Sequence, residues 1–205
     1  MGFYDRHILP HVINLACGVK PIRYQRQKVV PQAEGRVLEV GIGSGLNLPF
    51  YDVAKVEKLW GLEPAPEIRR MAEKAAAGAP FPVEFIDLPG ETIPLDDDSV
   101  DTVVITYTLC TIADAVRALH EMRRVLKPGG QLLFAEHGRA PDAAVQRWQD
   151  RLTPIWKRIG GGCHLNRDIP GLLEQGGFAV GRLETMYLPG PRPMTFNYWG
   201  AAIPR

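Results

Sequence analysis

The chain has 205 residues, 45% of them hydrophobic, and its 24 Lys and Arg nearly cancel its 23 Asp and Glu, for a formal net charge of +1. That length suffices for one α/β domain with a sizeable core and is short for two. So small a charge supplies no basic field and gives no support for nucleic acid as a partner.

Cys17, Cys110 and Cys163 show neither C-x-x-C spacing nor the density of a disulfide scaffold, which favours a reducing compartment. Met1 to His11 lack a cleavable apolar core, and no apolar run approaches the roughly 18 residues of a membrane span. A soluble, cytoplasmic protein is the expectation. Nothing in the sequence addresses oligomeric state.

Ile8, Leu9, Val12, Ile13, Leu15 and Ala16 recur at near-helical spacing and Gly18 follows as a stop, which predicts an amphipathic helix despite Pro10. Lys20, Arg23, Arg26 and Lys28 then surround Tyr24. They read as a solvated face beside a helix that packs on the domain, with a membrane-surface or substrate-lid segment as the alternative. Residues 1 to 30 are thus expected to form a helical lid or docking segment, and residues 31 to 205 the main domain.

Arg36 to Leu48 is the stretch around which the chain is organised. Val37, Leu38 and Val40 form a short apolar run typical of a strand buried on both faces, and Gly41, Gly43 and Gly45 then leave backbone bare for a ligand. A dinucleotide turn would need Gly or Ala where Leu46 stands. The acidic Glu39 also favours a cationic ligand over a pyrophosphate.

Leu46 to Tyr51 is expected to begin a first helix. Lys58 to Pro64 reads as a second strand ending on Glu63, where a carboxylate at the strand tip can accept bonds from both hydroxyls of a ribose. A helix over residues 66 to 77, a strand over 83 to 86 and the loop Asp87 to Leu95 follow. Asp96-Asp97-Asp98-Ser99 is a polar turn into the strand Val100 to Thr106. Ala113 to Leu126 carries one apolar stripe of a helix, which leaves His120 as a helix-face residue.

The turn Lys127-Pro128-Gly129-Gly130 leads into the strand Gln131 to Glu136, and Glu136-His137 closes it. Ala143 to Ile159 predicts a helix whose Trp148, Leu152, Ile155 and Trp156 are expected to pack in the core. Gly160 to Asp168 is a loop, residues 170 to 175 a short helix, and Phe178 to Tyr187 and Met194 to Ile203 two final strands.

The pattern Glu39-x-Gly41-x-Gly43-x-Gly45, with Leu126-Lys127-Pro128-Gly129-Gly130 before an apolar strand, resembles the class I S-adenosylmethionine (SAM)-dependent methyltransferases. The resemblance implies an α/β fold with a Rossmann-like, doubly wound, mostly parallel seven-stranded sheet and an antiparallel last strand. It also implies SAM as cofactor and S-adenosylhomocysteine as product. Carried over residue by residue, it places Glu39, Gly41, Gly43, Gly45, Asn47, Glu63, Pro64, Gly90, Glu91 and Thr106 at the cofactor. Many relatives carry an acid for the adenine amino group where this chain has Pro89, which leaves Gly90, Glu91 or Asp87 for that contact.

A narrower resemblance rests on Pro89-Gly90-Glu91, Leu109-Cys110-Thr111-Ile112, Glu136-His137, Trp156 to Cys163, and Leu165-Asn166-Arg167. These look like the thiol S-methyltransferase family, whose animal members are membrane-associated. The implied reaction is methylation of a small acceptor, a thiol first among the candidates. A phospholipid, a quinone or another small molecule is the alternative within the enzyme class, and a non-catalytic SAM sensor the alternative outside it.

His137 is the candidate base, since a histidine at a strand's carboxyl end can take a proton near pH 7. Tyr107, Cys163 and His164 are candidates for the acceptor pocket. Cys110, Cys163 and His164 do not form a zinc spacing in sequence, so no metal is expected.

Overall fold

The computed structural model describes Tyr4 and residues 8 to 205. Strands β1 (Gly35–Val40), β2 (Val56–Leu62), β3 (Val83–Ile86), β4 (Val100–Thr106), β5 (Leu126–His137), β6 (Phe178–Tyr187) and β7 (Phe196–Pro204) form one sheet in the order β3-β2-β1-β4-β5-β7-β6. β1 pairs in parallel with β2 and β4, as do β2 with β3 and β4 with β5. β7 runs antiparallel to both β5 and β6, as the class resemblance implies.

Helices α1 (Leu9–Cys17), α2 (Lys20–Val29), α3 (Pro66–Ala76), α4 (Ala115–Val125), α5 (Ala143–Ile159), α6 (Ile169–Gln175) and the one-turn α7 (Arg192–Thr195) surround the sheet. Side chains alternate between its faces along each central strand. Leu38, Val40, Val103, Ile105, Leu132 and Phe134 join one core cluster with Leu119, Met122 and Leu173, while Val37, Val104 and Leu133 join the other with Val29, Val30 and Ala72.

The sheet order reverses between β1 and β4, which is where an open α/β sheet leaves a crevice at its carboxyl edge. Register keeps the strand ends together there: Val40 stands opposite Leu62 on one side and Ile105 on the other. Gly41, Glu63 and Thr106 therefore leave the sheet at one edge.

Four expectations need correction. The helix expected from Leu46 is only a 3-10 turn, Leu48–Phe50, with Pro49 inside it removing a backbone donor. Strand pairing in β5 begins at Leu126, opposite Val100, so the Lys127–Gly130 turn is an irregularity within a long strand. Lys20, Arg23, Arg26 and Lys28 lie on α2 itself, and Arg26 is buried on the face it shares with Val29. Finally, α5 buries Val145, Gln149 and Thr153, which turns Trp148 and Ile155 outward at 55% and 63% exposure.

Candidate functional site

A cleft of about 510 Å³ opens at the carboxyl edge of β1, β2 and β4. Gly41, Ile42, Gly43 and Ser44 form its floor, Glu63, Ala65 and Ile68 one side, and Thr106, Tyr107, Thr108 and Thr111 the other. Leu9, Ile13 and Cys17 of α1 cover it, and Gly161 and Gly162 border it beyond α5.

The three glycines of the turn serve three different needs. All have positive φ, at 71°, 58° and 82° for Gly41, Gly43 and Gly45. A Cβ on Gly41 would collide with the Thr108 side chain, and one on Gly45 would meet Leu48 Cδ1 at 2.8 Å and α3 at Ala75 Cβ at 3.2 Å. A Cβ on Gly43 would meet only the Gly41 carbonyl at 3.9 Å. Gly41 and Gly45 thus permit protein packing, and Gly43 leaves room for a ligand.

Behind the floor lies a buried polar network. Arg26 Nη1 donates to Asn47 Oδ1 at 2.9 Å and to Thr106 Oγ1, and Asn47 Nδ2 donates to Glu39 Oε1 at 2.8 Å. Tyr51 donates its hydroxyl to Glu39 Oε2 at 2.7 Å. Burial pushes the Glu39 carboxyl up to about 7, against the bonds from Tyr51 and Asn47 and the charge of Arg26. Glu39 and Asn47 support the turn from below and do not line the cleft.

Glu63 does line it, with Oε1 accepting from the Ala65 N–H at 2.9 Å and burial raising its pKa. Thr106 and Tyr107 line it as well. Tyr107 has φ 54°, a strained conformation for a non-glycine residue, and its hydroxyl donates to Asn197 Oδ1 of β7 at 2.6 Å. Glu136 fixes the turn by accepting the next two N–H groups, Thr108 at 2.8 Å and Leu109 at 3.0 Å.

Other expected residues fall outside the cleft. Pro64 is exposed between two lining neighbours. Gly90 is buried against Val40, Ile112 and Ala118, and Glu91 accepts from the Asp114 N–H at 3.1 Å. Asp87 pairs with Arg69 at 2.5 Å. His164 uses backbone N–H and Nδ1 on the Cys110 carbonyl, at 2.8 and 3.0 Å.

His137 is half-buried at the end of β5, with Nε2 3.2 Å from Cys163 Sγ. Cys110 is buried beside them. Hydrogen bonds from Cys110 and His137 draw the Cys163 thiol down to about 4 against the effect of burial. Cys110 is pushed up by its bond to Cys163 and by burial. Burial works to lower His137, and the bond and charge of Cys163 outweigh it, leaving it above its ordinary value. The histidine that joins the two cysteines is therefore His137 and not His164.

Sequence reasoning missed Arg26, Cys17 and Glu136. The available signal for Arg26 was its place on the same helical face as Ile22 and Val29, four and three residues away. Cys17 and Glu136 carry no such pattern.

Comparison with known proteins agrees with this architecture. The profile of the methyltransferase-domain family matches residues 38–134. A SAM-dependent methyltransferase from Leishmania major superposes with a TM-score of 0.71 at 19% identity, over 97% of this chain and 80% of that one. Fold and cleft together define a class I SAM-dependent methyltransferase.

Thiol S-methyltransferase TMT1B of Homo sapiens is 36% identical over 167 residues, 78% of this chain and 68% of that protein. TMT1B of Rattus norvegicus is 38% identical over 155 residues, 74% of this chain and 63% of its own length. The chain belongs to the thiol S-methyltransferase family, and the match spans about two thirds of these relatives.

The residues present suit SAM: open space over Gly43, the Glu63 carboxylate at the strand tip and an apolar side at Ile68. We expect Gly43→Val to abolish measurable SAM binding in calorimetry, since the new side chain enters the cleft and strains a backbone of φ 58°, with circular dichroism checking that the fold persists. Retained affinity would remove the turn from the site.

The raised pKa of Glu39 has a second consequence. Folded protein holds that proton more tightly than the unfolded chain between the ordinary carboxylate range and about 7, so stability falls as pH rises through this window. Urea unfolding near pH 5 and near pH 8 should show wild type losing on the order of 2–3 kcal/mol relative to Glu39→Gln. Parallel pH dependences would contradict the assignment.

Proposed function

We propose that this chain methylates a small, largely apolar thiol. The observation that carries the reading is the meeting of Cys110, His137 and Cys163 beside a cleft built for SAM, in a chain whose relatives are named as thiol S-methyltransferases. Glu63, the backbone at Gly41 and Gly43, and Ile68 would hold the cofactor. Bound there, SAM supplies an electrophilic methyl group on a sulfonium centre.

The chain's own contribution is chiefly positional. Leu9, Ile13 and Cys17 of α1 and the ring of Tyr107 give the cleft an apolar cover that keeps water from the acceptor. A free alkyl thiol is only a few per cent ionised near pH 7. His137 is committed to Cys163, so we assign the ionisation of the acceptor to the Cys110–His137–Cys163 cluster as a unit and not to a free histidine base.

α1 also turns apolar residues outward, with Val12 49% and Leu15 75% exposed, and Lys20 and Arg23 follow on α2. Among the described residues no helix is long and apolar enough to cross a membrane. We include in the proposal a peripheral contact of this face with an anionic lipid surface. Flotation with phosphatidylserine-containing vesicles should retain the wild-type chain and lose Leu15→Glu; equal flotation would refute the contact.

The acceptor is tested with methyl-labelled SAM and a panel of alkyl and aromatic thiols, a quinol and phosphatidylethanolamine. We expect label in thiol products, and a turnover in His137→Ala reduced by about 10²-fold or more with SAM affinity nearly unchanged. Label only in the quinol or lipid would reject the thiol, and no label in any product would favour a sensor.

A further inference from the structure

Three ligand atoms from separate parts of the chain meet beside the cleft. Cys110 follows the turn after β4, His137 ends β5 and Cys163 follows α5, and Cys110 Sγ, a ring nitrogen of His137 and Cys163 Sγ all lie within 4.8 Å of one another. Zinc takes this donor set, with sulfur at about 2.3 Å and nitrogen at about 2.0–2.1 Å. Ligand atoms around one tetrahedral ion of that size stand about 3.5–4 Å apart. That spacing falls between the 3.2 Å His137–Cys163 distance and the 4.8 Å limit of the cluster.

A second observation comes from the neighbour of His137. Glu136 is fully buried, and its Oε2 has no hydrogen-bond partner. An idle carboxylate oxygen in such a place is costly unless positive charge stands near. Arg167 donates to the Leu109 and Ile112 carbonyls and forms no ion pair with Glu136, so it leaves that oxygen unpartnered. A divalent cation on the cluster, whose His137 adjoins Glu136 in the chain, would bring positive charge toward that carboxylate.

We propose that Cys110, His137 and Cys163 form a three-ligand site for a zinc-class divalent cation whose fourth position takes the acceptor thiol. The fourth-ligand part rests on the methyl-transfer reading; the metal site does not. Three protein ligands with one open position are the arrangement of catalytic zinc. Thr111 and Gly162, the chain neighbours of Cys110 and Cys163, line the cleft, so the open position adjoins the acceptor's space. On binding, the acceptor's S–H bond breaks and a sulfur–metal bond replaces a metal-bound water, which departs carrying the proton to solvent. A metal-held thiol is deprotonated without a separate base.

The test uses the full chain, reduced with a phosphine, freed of metal with a chelator and titrated with Co²⁺. The expected result is a thiolate-to-cobalt charge-transfer band that saturates at one equivalent and is bleached by Zn²⁺. Cys110→Ser and Cys163→Ser should weaken the band, and His137→Ala should weaken Co²⁺ binding by at least about tenfold, with folding checked by circular dichroism. Absence of the band in the wild-type chain overturns the metal site, whatever the variants do. Added 2-mercaptoethanol should shift the band. A band indifferent to the thiol, or chelated protein that methylates thiols at the untreated rate, overturns the fourth-ligand step while leaving the methyl-transfer reading in place.

Discussion

The buried charge of Arg26 is the constraint on which the site depends. A guanidinium placed among core residues must be compensated, and here Nη1 is held by Asn47 and Thr106 and, through Asn47, faces Glu39, while Nε has no partner. These partners come from the glycine turn and from the ends of β1 and β4. Hydrogen bonds to charged groups contribute about 1.5–3 kcal/mol each, and losing one leaves its partner unpaired in a dry interior. The network therefore ties the glycine turn and the end of β4 to α2.

Much of this architecture is legible in the sequence because strand ends announce themselves. Val37 to Val40 and Val100 to Thr106 are apolar runs of strand length, each ended by residues that cannot continue a buried strand. Glu63 is legible for the same reason, as an acid at a strand tip. Residues whose roles depend on tertiary neighbours are less so. Pro49 limits the segment after the turn to a single 3-10 turn, and nothing local distinguishes Glu91, spent on the Asp114 backbone, from an acid directed at a ligand. Trp148 and Ile155 follow helical spacing and still face outward, because periodicity identifies a stripe and not the side on which the sheet lies.

Cys110, His137 and Cys163 show the same limit at the site itself. Each stands in a different segment of the family resemblance, separated in the chain by a helix and a strand or by a whole helix. Their meeting is a product of topology: β4 and β5 are sheet neighbours, and α5 returns the chain to the edge where both end. The sequence spacing that argued against a metal tested His164, which the fold directs to a backbone carbonyl.

Tyr107 ties this edge to the far end of the chain. Its hydroxyl is held by Asn197, which also stands opposite His137 in the β5–β7 pairing. The cofactor half of the cleft comes from the first half of the sequence, but the strained Tyr107 turn gains its β7 clamp only when the last strand inserts between β5 and β6. During synthesis from the N-terminus, the glycine turn and Glu63 are assembled long before that strand leaves the ribosome. The acceptor side thus depends on residues synthesised well after those of the cofactor floor, and the Tyr107 wall cannot be anchored until Asn197 has joined the sheet.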